Sequence, residues 1–126
     1  MRFERQFTTA GTHPYNDVPF RTASSEIRNP DGTVVFSAEN VEVPEQFSQV
    51  ATDILAQKYF RKAGVPAALK RSEENDVPSW LWRSVPDEAA LAKLPAEDRY
   101  VGESSAKQVF NRLVGTWTYW GWKGGY

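Results

Sequence analysis

The side chains able to do chemistry in this chain are few and scattered. His13 is the sole imidazole and there is no cysteine. A histidine-based metal centre or a Ser-His-acid triad would rest on that one residue, in an irregular N-terminal stretch, so neither is favoured. Zero cysteines remove disulfides, thiolate ligands and all thiol chemistry from the chain. Lys58, Arg61, Lys62, Lys70 and Arg71 follow one another without an intervening acid, which could make an anion or phosphate site. Arg61 and Lys62 also suit the C-terminal end of a helix, where cations complement the dipole, and that reading is preferred. The acid pairs Glu73-Glu74, Asp87-Glu88 and Glu97-Asp98 raise paired-carboxylate catalysis or a hard cation. Adjacent side chains point apart and each pair lies at a turn or helix start, so solvated carboxylates are expected instead. The run from Gly121 to Gly125 lacks the spacing and the preceding strand of a phosphate loop. No catalytic, cofactor-binding or metal-binding residue is assigned.

The tryptophans Trp80, Trp82, Trp117, Trp120 and Trp122 remain. They could stack sugars or single-stranded bases, but at helical spacing core or interface is the favoured role. Trp117, Tyr119, Trp120, Trp122 and Tyr126 crowd the last ten residues. Chain ends are ordinarily frayed and polar, whereas aromatic side chains dominate cores and interfaces. This end is therefore expected to be covered.

The elements that position these residues follow from pattern. Residues 1–22 mix Thr, Gly, Asn and Pro with isolated aromatics and read as an extended arm. Asn29-Pro30-Asp31-Gly32 matches a type I turn, so Ser25–Arg28 and Thr33–Phe36 form a predicted β-hairpin. Pro44 suits the first turn of a helix, with Phe47, Val50, Ala51, Ile54, Leu55 and Tyr59 as a core-facing stripe and an end near Ala63-Gly64. Glu73–Asp76 reads as a solvated turn, and Val77–Trp82 as extended or a single turn. A short helix fits Asp87–Leu94 between prolines. Ser105 and Gln108 have capping-box spacing, and open a helix whose stripe is Ala106, Val109, Phe110, Leu113, Trp117 and Trp120. It is predicted to continue until Gly121, Gly124 and Gly125 loosen it.

Length and composition set the frame. A chain of 126 residues fits one domain able to bury a core, and 8 prolines with 8 glycines promise short elements and many loops. A formal charge of -1 gives no field that favours nucleic acid or an anionic membrane. No apolar run is long enough to span a bilayer, and the N-terminus lacks a signal-peptide core, so a cytoplasmic chain is expected.

Together these segments resemble a known family. Glu26–Phe36, Asn40–Pro44, Gln49–Pro66, Val77–Trp82 and Gly115–Trp122 are similar to the N-terminal region of adenosylcobalamin-dependent (class II) ribonucleotide reductases. The resemblance covers nearly the whole chain. It implies a far larger enzyme that reduces ribonucleotides to 2′-deoxyribonucleotides by radical chemistry, for DNA synthesis, in a ten-stranded α/β barrel that follows this region. It places the chain in the enzyme class of the ribonucleoside-diphosphate reductases, with diphosphate and triphosphate substrates both left open. Such chemistry needs a thiyl radical and a reducing cysteine pair, which this chain lacks. The expectation is thus an inactive fragment: residues 23–126 as an α+β N-terminal domain, mainly helical with an N-terminal hairpin, loop-rich, and detached from its α/β barrel. Adenosylcobalamin and nucleotide would belong to the full enzyme, with no cofactor on this segment, no membrane and no direct nucleic-acid contact. Val109, Phe110, Leu113, Trp117, Trp120 and Trp122 would face the remainder of the polypeptide, on a helix continuing toward it. A standalone Trp-rich binding module and a separately encoded assembly partner are the alternatives.

Overall fold

The structure, a computed structural model, describes residues 3–126; Met1 and Arg2, at the start of the expected arm, lie outside the described residues. The chain divides into two compact units, one formed by residues up to Phe60 with Ser104–Val109, the other by Arg61–Glu103 with Phe110–Tyr126.

The first unit is built on an antiparallel hairpin, β1 (Phe20–Arg28) and β2 (Val34–Pro44). Its turn is the predicted one. Gly32 N–H donates to Asn29 O at 2.9 Å, Asn29 N–H donates to Thr33 O at 2.8 Å, and Gly32 has φ 88°. A type I turn closed by a left-handed residue demands this geometry, and glycine supplies it without a steric cost. The Asp31 carboxylate accepts the Thr33 N–H at 2.8 Å, and hydrogen bonding from the Thr33 side chain and then from this N–H holds its pKa below the ordinary range.

Both strands run further than the sequence pattern indicated. Phe20, Arg21 and Thr22, assigned to the arm, are strand, and Pro44 pairs opposite Phe20 instead of opening a helix. A proline is tolerated there because the end of a strand need not donate to the ladder. Between the pairs Ala23–Val41 and Ser25–Ala38, β2 carries one extra residue, with Asn40 at φ 55°. This bulge keeps Val43, Val41, Ala38 and Phe36 on one face, opposite Arg21, Ala23, Ser25 and Ile27. Val41, Val43 and Ser25 of that face are buried.

Helix α1 (Gln49–Ile54) starts where Ser48 Oγ accepts the Ala51 N–H at 3.1 Å, four residues beyond the predicted proline. It passes into a π turn, Leu55–Tyr59, where Phe60 N–H reaches Leu55 O at 3.1 Å and the helix ends. Gly64 has the expected positive φ, 78°, but lies in the following loop and not at a helix cap. The predicted core stripe is rotated. Thr52, Leu55 and Ala56 are buried, while Val50 and Ile54 are 68% and 52% exposed. The cause is the polar edge that grips the hairpin: Ser25 Oγ donates to Asp53 Oδ1 at 2.7 Å, and Gln49 Nε2 donates to Asp53 Oδ1 at 2.8 Å and to Ser24 O at 2.9 Å. With that edge against the strands, the neighbouring edge becomes the core and positions 50 and 54 turn outward.

Helix α3 (Ala106–Lys123) begins in the first unit. The capping spacing is realised, since Gln108 Oε1 accepts the N–H groups of Ser104 and Ser105 at 2.8 and 3.0 Å. Its first turn is fixed to β2 by Glu42 N–H donating to Ser104 O at 2.8 Å and by Ser105 Oγ donating to the Glu42 carboxylate at 2.6 Å. Ala106 and Val109 complete the unit's core.

The second unit holds two short antiparallel pairs. β3 (Val65–Pro66) lies against β6 (Tyr100–Val101), and β4 (Leu69–Arg71) against β5 (Ser84–Pro86). Ser79–Leu81 is the single turn anticipated for that stretch, and α2 (Glu88–Leu91) is capped by Asp87, whose carboxylate accepts the Ala90 N–H at 3.1 Å. Val77, Leu81 and Leu91 are its buried apolar residues. The chain is a small α+β structure of short elements, and no described helix is long and apolar enough to cross a membrane.

Candidate functional site

The second unit displays two contrasting faces of α3. Arg112, Tyr119 and Lys123 recur at spacings of seven and four, so they share one side of the helix. That side is held by polar contacts. Tyr119 Oη donates to the Glu74 carboxylate at 2.7 and 2.9 Å, and Lys123 Nζ donates to Glu74 Oε1 at 2.8 Å. Arg83 approaches the same carboxylate at 3.7 Å. Trp122 Nε1 donates to Asp76 O at 2.7 Å. The bonds from Lys123 and then Tyr119 lower the Glu74 pKa, and the same contacts raise those of Tyr119 and Lys123. The segment Glu73–Asp76, expected to be a solvated turn, is therefore an anchor for the helix. Its second acid, Glu74, was overlooked because its partners lie 45 and 49 residues away.

At the N-terminal end of the same face, Glu103 is nearly buried, its side chain 4% exposed. Its carboxylate accepts the Arg61 N–H at 2.8 Å and Arg112 Nε at 3.0 and 3.1 Å. Arg61 is thus placed by its backbone, and Arg71 by a guanidinium bond to Trp82 O at 2.6 Å. The five cations from Lys58 to Arg71 are all exposed.

The opposite face of α3 carries Val114, Trp117 and Trp120 at spacings of three. Trp117 is 61% and Trp120 65% exposed, and Val114 is exposed beside them. Phe110 and Leu113, from the predicted interface set, are half-buried. Val109 is only 1% exposed, in the core of the first unit, and has no surface left to offer a partner. Trp122 lies on the anchored side through its indole N–H. The helix ends at Lys123, where the glycines were predicted to loosen it. Gly125 has φ 79°, its N–H donates to Trp122 O at 3.1 Å, and Tyr126 N–H donates to Gly121 O at 3.0 Å. These two bonds form a Schellman cap, which closes the helix and fixes the aromatic end.

Among the other candidates, His13 Nδ1 accepts the Tyr15 N–H at 3.2 Å and caps a 3₁₀ turn, Pro14–Asp17. Asp87 is a helix cap. Among the described residues no group of three or more His, Cys, Asp or Glu side chains is placed to hold a metal. The arrangement presents a surface: a capped helix with one side bonded down and exposed tryptophans on another.

Comparison with known proteins gives that surface a context. The family described as class II vitamin B12-dependent ribonucleotide reductase matches residues 21–126. The chain is 68% identical over 126 residues to the vitamin B12-dependent ribonucleotide reductase of Bradyrhizobium diazoefficiens, covering all of this chain and 10% of that protein. The protein of the same name from Agrobacterium fabrum is 65% identical over the same length, again 10% of its chain. That of Streptomyces coelicolor is 43% identical over 68 residues, which is 52% of this chain and 7% of its own. This chain spans about a tenth of the length of the first two of these relatives. The matched span includes the hairpin, α1 and the whole of α3, and on it the chain belongs to the family of class II vitamin B12-dependent ribonucleotide reductases.

Proposed function

We propose that this chain is the N-terminal segment of an adenosylcobalamin-dependent ribonucleotide reductase, a cytoplasmic enzyme that converts ribonucleotides to 2′-deoxyribonucleotides for DNA synthesis. Within it the segment is a structural and assembly part, and the Val114–Trp117–Trp120 face docks on the remaining polypeptide, which carries the catalytic α/β barrel. In domain terms, residues up to the hairpin are a leading arm and the rest is an N-terminal domain.

The observation that carries this reading is the exposure of Trp117 and Trp120 on a helix whose other side is already anchored. A tryptophan buries roughly 150–250 Å², so covering the exposed part of each contributes on the order of 3 kcal/mol at about 25 cal/mol per Å². Two such anchors are sufficient to centre an interface. The relatives supply ample polypeptide to cover them, being about ten times longer.

The residues here are not a set that fits the radical step. Cobalamin supplies the radical when bound, but this segment has no cysteine to receive it, and its one imidazole is occupied as a turn cap. No chemical step is assigned to any residue of the segment.

The test is reconstitution in trans. This segment and the remainder of the reductase polypeptide are expressed separately, and ribonucleotide reduction with adenosylcobalamin is assayed on each and on the mixture. Activity is expected only in the mixture, and Trp117→Ser with Trp120→Ser is expected to abolish it. A remainder fully active alone and indifferent to the segment would overturn the assembly role. Saturable quenching of tryptophan fluorescence by a sugar or an oligonucleotide would instead support a binding module.

A further inference from the structure

The hairpin is longer than the core beneath it. Its inner face starts in the core at Val43 and Val41, opposite Arg21 and Ala23, and stays in phase past the bulge to Ser25–Ala38 and Ile27–Phe36. Burial fades along that line. Val43, Val41 and Ser25 are buried, Ala38 and Phe36 are half-buried, and Ile27 is exposed. The polar contacts from α1 and the π turn reach the strands at Ser24 and Ser25. From residue 26 to residue 37 the hairpin has no buried residue; Val34, opposite Arg28, and Val35, at the register irregularity between Val34 and Phe36, are exposed as Ile27 is. A two-stranded ribbon is marginal in water without a third strand or a packed face, and an apolar edge strand left open is a pairing hazard.

The charges at this end are satisfied within the hairpin itself. Arg28 Nε pairs with the Glu26 carboxylate, Arg28 Nη1 donates to Gly32 O at 3.0 Å, and Asp31 accepts from Thr33 N–H. Covering the apolar face therefore strands no unpaired charge, which is the condition under which such burial is favourable. The family match takes in the hairpin from its second residue, so the overhang lies within the family match.

We infer that the distal half of the hairpin, residues 26–37, is an arm whose apolar residues Ile27, Val34, Val35 and Phe36 dock onto the same reductase polypeptide beyond residue 126. This rests on the reading of the chain as a segment of that enzyme. It adds a second contact, in the first unit, independent of the tryptophan face in the second. The occupant is the chain's own continuation, because the relatives' polypeptide is tenfold longer than this segment.

The experiment places a photo-crosslinker in the full-length reductase, Val35→p-benzoylphenylalanine in one variant and Trp117→p-benzoylphenylalanine in another. Unlabelled and ¹⁵N-labelled protein are mixed before irradiation, and crosslinked peptides are mapped by mass spectrometry. Position 35 is expected to crosslink to residues beyond 126 within one isotopic copy, and adding Ile27→Ser is expected to lower that yield roughly tenfold, as removal of a buried isoleucine contact implies. A crosslink from position 117 with none from 35 overturns the arm and leaves the tryptophan face standing. None from either overturns both. Mixed-isotope crosslinks from position 35 show that the arm docks on a second copy and overturn the intrachain assignment.

Discussion

The phenolic hydroxyl of Tyr119 donates to both carboxylate oxygens of Glu74, at 2.7 and 2.9 Å, and so ties the helix that bears the tryptophans to a turn 45 residues earlier. Lys123 joins the same carboxylate one helical turn later. The pH dependence follows from the shifts. The Glu74 pKa is lowered on folding, so its contribution is complete above the ordinary glutamate range and is lost as pH falls through the lowered value. Those of Lys123 and Tyr119 are raised, so theirs is complete below their ordinary values and is lost as pH rises through the raised ones. Tryptophan fluorescence is expected to show an acid transition below the ordinary glutamate range, reporting release of Trp122, and Glu74→Gln should remove it. An unchanged acid profile in that variant would refute the anchor.

Exposure of Trp117 and Trp120 predicts a solubility phenotype. Trp117→Ser with Trp120→Ser is expected to reduce binding of an apolar dye and self-association of the isolated segment, while stability changes by no more than about 0.5 kcal/mol, as at other surface sites. Equal dye binding in the variant would place the apolar surface elsewhere.

Glu103 accepts from the Arg61 backbone and from Arg112 with only 4% of its side chain exposed. Removing one partner of a buried pair leaves the other uncompensated, so Glu103→Ala should cost about 3 kcal/mol, the lower end of the range because Arg112 is 25% exposed. A double-mutant cycle with Arg112→Ala in urea measures the coupling. Simple additivity would show that the two side chains contribute separately.

Gly102 follows β6, where a Cβ would sit 2.8 Å from Lys62 O and 3.2 Å from Arg61 O. Both atoms are backbone, so neither can swing aside. Gly102→Ala is expected to destabilise by about 1–3 kcal/mol, read as a lower urea midpoint, and an unmoved midpoint would contradict the close approach.

Local signals in the sequence were reliable where they rest on one residue's chemistry. Asn29-Pro30-Asp31-Gly32 made its turn, and Ser105 and Gln108 their capping box. Patterns that need a partner were not. Nothing in Val65-Pro66 announces Tyr100-Val101 across 35 residues, and pairs this short carry no period to detect. Val50 and Ile54 have ideal spacing for a core, yet the grip of Gln49 and Asp53 on the hairpin decides which edge turns inward. On α3 the sequence stripe ran without a break from Val109 to Trp120, and a continuous stripe does not reveal that Val109 enters a core while Trp117 and Trp120 stay exposed.

The π turn at Leu55–Tyr59 holds one residue more than an α turn needs. Directly after α1, it gives the chain slack. Deleting Gln57 would let the ladder close with ordinary spacing and keep Phe60 in the core. A deletion at Ala51 would instead swing every later side chain by roughly 100° and turn Leu55 and Ala56 out of it. The segment thus carries its own tolerance for a change in length, at a point just before the chain leaves its first unit.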